Sequence, residues 1–365
     1  MKRREFLKGA GVAGVAAGAA AATGLATPAL AQGREKITMV TTWGRGSFGV
    51  HDAAQRFADY VSEITDGTLE VDLKANGELS SGTQGAFDAV TSGAADAYHA
   101  ASYYYIGQSM AMGFFTAVPF GMTAVELNTW MYHGGGQELM NETHEEFGMR
   151  AFLAGNTGLQ GGGWFRKEIN SAADWEGLKY RMPGLGGIAI AKLGASSITM
   201  AGSEIYQALQ SGAVDGAEWI GPASDESLGL QEAAPIYYAA GFHEPGSGLQ
   251  VSLNLDRWDS LSGSHQKAIE VAAAATNDIG HCQYLAANGA ALERLIAGGT
   301  RVLEFPDDVW DALGRASMEV FEENMDDDLF KRCYDSFRTS MAATSGWVSR
   351  SNGAYTAQRD RVLGG

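Results

Sequence analysis

Apolar positions along the chain alternate between two rhythms. KITMVTTW (36–43) is a β-branched run that predicts a strand; the glycine turn GRGSFG follows, and then DAAQRFADYVSEIT (52–65), whose apolar residues recur at helical spacing. LEVDLKANGEL (69–79) alternates and predicts the next strand, and GTQGAFDAVTSGAADAYHA (82–100) opens on a helix. A short segment at its end then enters the core ahead of the run Tyr103, Tyr104 and Tyr105. Phe114 to Phe120 is apolar and turn-bounded, TAVELNTWMYHGGGQELMNETHEEFG (123–148) reads as helix, break, helix, and MRAFLA (149–154) as strand. A second unit begins near Asn156, where the glycine cluster GNTGLQGGGWF (155–165) precedes a short helix that Ser171 can cap. PGLGGIAIAKLGASSITM gives loop, helix and strand, SEIYQALQSGAVDGAEW a helix ending in strand or loop, and LQVSLNLDRWDSL returns to strand. From Ser264 onward the pattern is almost entirely helical, either bracing the molecule and supporting oligomerisation or simply covering a sheet. Strand–helix–strand successions of this kind mark an α/β fold.

The first 31 residues follow a different rule. Lys2, Arg3, Arg4 and Lys8 precede an Ala/Gly-rich apolar run and a small-x-small site at Ala29-Leu30-Ala31, the layout of a cleavable export signal. Arg3-Arg4 followed by Glu5, Phe6 and Leu7 resembles a twin-arginine signal. The chain of 365 residues carries a formal charge of −17; without residues 1–31, 22 basic and 42 acidic side chains leave −20. An acidic surface without a basic stripe argues against nucleic acid, yet one buried arginine can still hold a small anion. Later in the chain there is no uninterrupted apolar run of membrane-spanning length. Cys282 and Cys333 are too few for a disulfide scaffold and read as buried small hydrophobes.

Catalytic signatures are missing. The chain has no GxSxG elbow and no HExxH helix, and Gly134–Gly136 and Gly161–Gly163 lack dinucleotide or Walker spacing. The seven histidines, His243 among them, fall singly and read mostly as structural or surface groups. Asp326-Asp327-Asp328 is a solvated helix flank without EF-hand spacing. The informative segments are GNTGLQGGGWF, GLKYRMPG (177–184), GAVDGAEWIGP (212–222) and GFHEPG (241–246). Arg181, between apolar residues and a Pro-Gly turn, has a planar fork that can grip a carboxylate, or else form a salt bridge. Glu218, between Ala217 and Trp219, needs a cationic partner if buried, either an arginine or a hard cation. Gln160, among glycines that admit close backbone approach, is a neutral oxygen ligand or a polar loop residue.

Through GNTGLQGGGWFRKEI, DWEGLKYRMPG with Ala191-Lys192-Leu193-Gly194, EIYQALQSGAVDGAEW and the later GF-x-EPG segment, the whole mature chain resembles a known family. It is that of the periplasmic solute-binding proteins of TRAP transporters (DctP-like), in particular the branch that binds 2-oxo or 2-hydroxy monocarboxylates such as pyruvate and lactate with a metal ion. The resemblance implies an α/β, two-lobed type II periplasmic binding protein fold with a long interlobe helix and a C-terminal helical extension. The implied division is a signal over 1–31, lobe 1 over 32–156 and about 247–290, lobe 2 over 157–246 with part of the C-terminal region, and a bracing or dimerisation region over about 291–365. It implies that Arg181 binds the ligand carboxylate, that Gln160 and Glu218 are metal ligands with the Trp219 carbonyl, and that the Trp219 indole walls the pocket. Glu244 is a further metal-side carboxylate, and Asn156 with one of Tyr103, Tyr104 and Tyr105 faces the ligand; Trp164 is another candidate wall. His243, where relatives tend to carry another aromatic, is a departure that bears on pocket size. The implied cofactor is one calcium or sodium ion; the implied partners are a small organic acid, TRAP permease subunits in the membrane and a second copy of the chain.

Two further functions fit the same residues. One is a ligand-sensing protein that hands its signal to a receptor kinase. The other is an exported metal-dependent lyase or isomerase with Glu218 as base, for which the sequence offers no second acid/base group.

Overall fold

The computed structural model describes residues 34–364; the export signal read over 1–31 lies outside the described residues. Eleven strands occur among them: β1 (Glu35–Thr41), β2 (Leu69–Lys74), β3 (Ala97–Ala100), β4 (Met149–Asn156), β5 (Gly163–Phe165), β6 (Lys179–Arg181), β7 (Ser196–Ile198), β8 (Gly216–Ala217), β9 (Ile236–Tyr238), β10 (Gly248–Asn254) and β11 (Arg301–Leu303). They form two sheets, in the orders β2-β1-β3-β10-β4 and β11-β9-β5-β8-β6-β7. In the first, β1 pairs parallel with β2 and β3 while β10 runs antiparallel between β3 and β4. In the second, β5 is the strand antiparallel to both neighbours, β8 and β9.

Those two antiparallel strands are where the chain changes sheets. After β4 it crosses to β5 through residues 157–162, and after β9 it returns to β10 through 239–247. The crossings run side by side: Thr157 N donates to Ser247 O (2.9 Å), Gln160 N to Glu244 O (3.0 Å), Gly241 N to Gln160 O (3.0 Å) and Gly162 N to Tyr238 O (2.7 Å). The informative glycine cluster and the GFHEPG segment therefore form a single two-stranded waist between the lobes. A third connection is the 35-residue helix Gly263–Ala297, roughly 50 Å long at 1.5 Å per residue. Its buried residues, among them Ala268, Ile269, Ala272, Ala273, Thr276, Gly280 and Tyr284, recur at three- and four-residue spacing, so one face is committed to packing. That face lies on β4 and helix Val50–Ile64 in the first lobe and reaches helix Pro222–Ser227 in the second.

The remaining helices extend the same logic. Asp307–Glu323 packs on helix Gly184–Lys192 of the second lobe, and Asp328–Val348 packs on Met110–Phe115 and Ala124–His133 of the first. Phe330 and Phe337 put their rings 5.0 and 5.8 Å from that of Phe114. The C-terminal extension thus braces both lobes.

Several expectations change in detail. β11 interrupts the stretch read as almost wholly helical from Ser264 and pairs parallel with β9. Strands β5, β9 and β11 have three residues each, too short to express a period of two, so no pattern announced them. The helix expected after Ser171 is a single 3₁₀ turn, with Asp174 Oδ2 accepting from Ser171 N at 2.9 Å. Cys333 is buried as expected, whereas Cys282 is exposed on the long helix, and the two are unpaired. Among the described residues no helix is long and apolar enough to cross a membrane.

Candidate functional site

At the waist, residues from three segments converge in the interior. Arg181 ends β6, Glu218 follows β8 directly, and His243 and Glu244 sit on the returning crossing; all four are at most 2% exposed. Because β6 and β8 are parallel neighbours with Arg181 opposite Ala217, the arginine and the next residue along β8 are brought side by side. Arg181 Nη1 donates to Glu218 Oε1 and, at 3.2 Å, to the Glu218 carbonyl. Its Nε and Nη2 donate to the Met200 carbonyl at 3.3 and 3.0 Å. Burial works most strongly against the guanidinium charge, but Glu218, Tyr104, Tyr103 and Glu244 together outweigh it, so the Arg181 pKa stands above its ordinary value.

The carboxylates are each held by one oxygen and free at the other. Glu218 Oε1 takes Arg181, and Glu244 Oε2 accepts from Ser247 Oγ at 2.5 Å. Glu218 Oε2 and Glu244 Oε1 have no hydrogen-bond partner, and neither ring nitrogen of His243 has one. His243 Nε2 lies 3.6 Å from Glu218 Oε2 and 3.9 Å from Glu244 Oε1. Burial, with the Glu218 charge beside it, pushes the Glu244 carboxyl up to about 7. Gln160 repeats the arrangement: its Nε2 donates to Thr157 Oγ1 at 3.0 Å, which turns Oε1 into the interior without a partner. Unpartnered buried oxygens on two acids and an amide cost several kcal/mol together unless something positive meets them. This donor chemistry fits a hard cation.

Aromatic rings line the space around the pair. The Trp219 indole lies under the Arg181 guanidinium, 5.3 Å from its carbon to the ring centre, and meets Trp43 edge-on at 6.3 Å. Trp43 also packs against Tyr104 at 6.1 Å, and Tyr104 against Tyr103 at 4.9 Å. Burial raises both tyrosines, Tyr104 up to about 12 and Tyr103 well above its ordinary value; the charges of Arg181, Glu218 and Glu244 act on each. Trp43 is fixed by a relay: its Nε1 donates to His99 Nδ1 at 2.8 Å, and His99 Nε2 pairs with the Ala154 carbonyl at 2.9 Å, which assigns the ring proton to Nε2. Burial lowers His99 to about 4, keeping it neutral and able to accept.

The supporting shell is equally specific. Asp225 accepts from Trp164 Nε1 (2.8 Å), Ile220 N (3.1 Å) and Gly221 N (3.0 Å), which pins the segment carrying Glu218 and Trp219. Trp164 thereby serves the core of the second lobe, packed on Tyr237 at 4.7 Å. Gly163, at φ +106°, lets the Tyr180 hydroxyl reach the Gly162 carbonyl at 2.6 Å; a Cβ there would stand 2.0 Å from that hydroxyl.

Of the residues singled out by sequence, Arg181, Glu218, Trp219 and Glu244 come together, Gln160 joins through its backbone bond to Glu244, and Tyr103 and Tyr104 face the same charges. Tyr105 turns away into a first-lobe cluster with Phe87 (4.9 Å) and Tyr98 (5.3 Å). Asn156 ends β4 with Oδ1 accepting from Gly158 N at 2.8 Å and Nδ2 unpartnered, a hinge position. Two roles are not legible in the sequence. His243 reads there as one of the single histidines and as a residue that bears on pocket size, not as a neighbour of both carboxylates, although its adjacency to Glu244 in a glycine-bounded segment is a signal. Trp43 had none, since only the fold brings it to Trp219.

The family model for bacterial extracellular solute-binding proteins, family 7 (DctP), matches residues 39–328. The monocarboxylate 2-oxoacid-binding periplasmic protein of Nostoc sp. is 40% identical over 350 residues, covering 95% of this chain and 96% of that protein. A TRAP transporter solute-binding protein from Bordetella bronchiseptica, a dimer with calcium and picolinate bound in one site, superposes with a TM-score of 0.89 at 33% identity, over 91% of this chain and 99% of that one. One from Pseudoalteromonas atlantica with bound sodium and pyruvate gives 0.85 at 36% identity, over 89% of this chain and 99% of that one.

Proposed function

The chain belongs to the DctP family of bacterial extracellular solute-binding proteins, the receptors of TRAP transporters, and from that premise we propose that it captures a short 2-oxo monocarboxylate of the pyruvate kind together with a sodium or calcium ion. The observation that carries this reading is the buried pair Arg181–Glu218 beside unpartnered oxygens of Glu218, Glu244 and Gln160. Glu218, Gln160 and Glu244, with the Trp219 carbonyl, would hold the ion. A bound cation supplies positive charge for these acids and a chelation point for the C2 oxygen and carboxylate of the solute.

Arg181 selects acids. Its Nη1 is committed to Glu218, so a bidentate grip on a solute carboxylate requires Glu218 to turn its Oε1 away. Anything that draws Glu218 off the arginine therefore raises acid affinity, and the two binding events share one ion pair. Trp43, Trp219 and Tyr104 bound the space for the tail, where one methylene changes discrimination by about 1–3 kcal/mol. The family's role is solute binding, and in this reading the protein captures its acid without turning it over.

In this reading the protein is exported by the twin-arginine route, works in the periplasm, passes its solute to membrane permease subunits and is a homodimer. The dimer is supported by Trp347, Tyr355, Val362 and Leu363, all at least 66% exposed on the C-terminal helices. Calorimetric titration of chelator-stripped protein with pyruvate, lactate and 2-oxoisocaproate, with and without calcium or sodium, tests the core of it. Metal-dependent binding of a short 2-oxo acid is expected; absence of metal-dependent binding for all three refutes the reading.

A further inference from the structure

His243 is the one nitrogen donor in an otherwise oxygen-lined site, and its placement is constrained on two sides. A Cβ on Gly186 would stand 2.6 Å from His243 Cβ, and one on Gly241 2.8 Å from its Cε1, so two side-chain-free positions make room for this ring. With Phe242 at 5.6 Å the ring is aimed between Glu218 and Glu244. One donor atom from each of the three residues lies within 4.8 Å of the others. Without solute, each carboxylate is held through one oxygen, by Arg181 or by Ser247, and turns the other toward His243.

We propose that Glu218, His243 and Glu244 make this a site for borderline divalent transition ions of the cobalt, nickel and zinc class, with His243 Nε2 as ligand, so that the receptor takes its acid with such an ion as well as with a hard cation. Imidazole suits these ions, whereas calcium favours six to eight oxygens, often with bidentate carboxylates. Zinc takes imidazole nitrogen and carboxylate oxygen alike, and its catalytic sites keep three protein ligands with a fourth position open. The two separations from His243, 3.6 and 3.9 Å, exceed the roughly 3.3 Å edge of a tetrahedral site by a few tenths of an ångström, and all three donors lie within 4.8 Å of one another, so side-chain rotation has to draw them together. The open position would go to the solute, whose C2 oxygen and carboxylate chelate any of these ions.

The inference rests on the reading that a cation binds here, and the test separates the two. Chelator-stripped protein is titrated with cobalt and with calcium in saturating pyruvate, for the wild type, His243→Gln and the surface control His133→Gln. The wild type and control should bind cobalt at least about 100-fold more tightly than calcium, and His243→Gln should lose at least about 10-fold of that preference while keeping its calcium affinity within about threefold. Should His243→Gln fold poorly, pulsed EPR of the wild type with one equivalent of copper shows through nitrogen modulation whether an imidazole binds the ion, and His243→Asn, the smaller amide, shows whether that imidazole is His243. No cobalt preference in the wild type, a preference retained in His243→Gln, or no imidazole modulation overturns the proposal. Loss of calcium-dependent pyruvate binding in the wild type would instead overturn the hard-cation reading and leave the His243 result to be judged by cobalt alone.

Discussion

Replacing Glu218 by Gln acts on the pair through which solute and cation are coupled. Both partners are fully buried, and the substitution keeps an amide oxygen facing Arg181 while deleting the charge. For unit charges near 4 Å at an effective dielectric of about 20 the Coulomb energy is about 4 kcal/mol, and breaking a buried pair costs about 3–5 kcal/mol. Glu244 also acts on the Arg181 charge and offsets part of the loss, which places the expected cost at about 2–3 kcal/mol. At roughly 2 °C per kcal/mol, the Tm of Glu218→Gln in chelator should fall by roughly 4–6 °C. Pyruvate should recover part of this in the variant, because its carboxylate becomes the counter-charge Arg181 has lost, and added calcium should no longer strengthen pyruvate binding. Differential scanning fluorimetry gives the first quantity and calorimetry the other two. An unchanged Tm, or wild-type calcium dependence in the variant, would refute the coupling.

The other expectations are narrower. Arg181→Ala should weaken pyruvate, lactate and longer 2-oxo acids alike in calorimetry; loss confined to one acid would place the arginine at the rim of the site. Trp43→Leu should raise the affinity ratio of 2-oxoisocaproate to pyruvate by about 10-fold, since removing the ring enlarges the tail space, and an unchanged ratio would exclude Trp43 from the wall. The Glu244 carboxyl stands at about 7 in the folded protein against an ordinary 4.5, so between those values the native state binds a proton the unfolded chain has lost, and stability falls as pH rises from about 4.5 and levels off above about 7. Compared with Glu244→Gln, the metal-free wild type should therefore lose Tm more steeply between about pH 5 and 7; equal slopes in the two proteins would contradict this. Gly163→Ala combines a positive φ with a Cβ 2.0 Å from the Tyr180 hydroxyl and should destabilise by more than about 3 kcal/mol in denaturant titration.

Much of the architecture was legible because it is written in local periodicity. Helix Val50–Ile64, the pair Ala124–His133 and Gly136–Glu145, strands β1, β2, β4 and β10, and the long helix all repeat an apolar spacing over enough residues to declare themselves. The chemistry-bearing segments were legible for a different reason: Arg181, Glu218 and Gln160 are polar residues in apolar or glycine-rich surroundings, which burial forces into partnership. What a single chain could not display was who those partners are. The Arg181–Glu218 pair spans 37 positions and exists because β6 and β8 are parallel neighbours in register. His243 joins the carboxylates because two crossings lie side by side, and Trp43 meets Trp219 because the lobes close on each other. Sequence by itself determined the residue types that must be neutralised and the elements that carry them. Only the tertiary structure decided their pairing, since contacts between distant segments depend on strand order and crossing geometry, which no local pattern of hydrophobic and polar positions encodes.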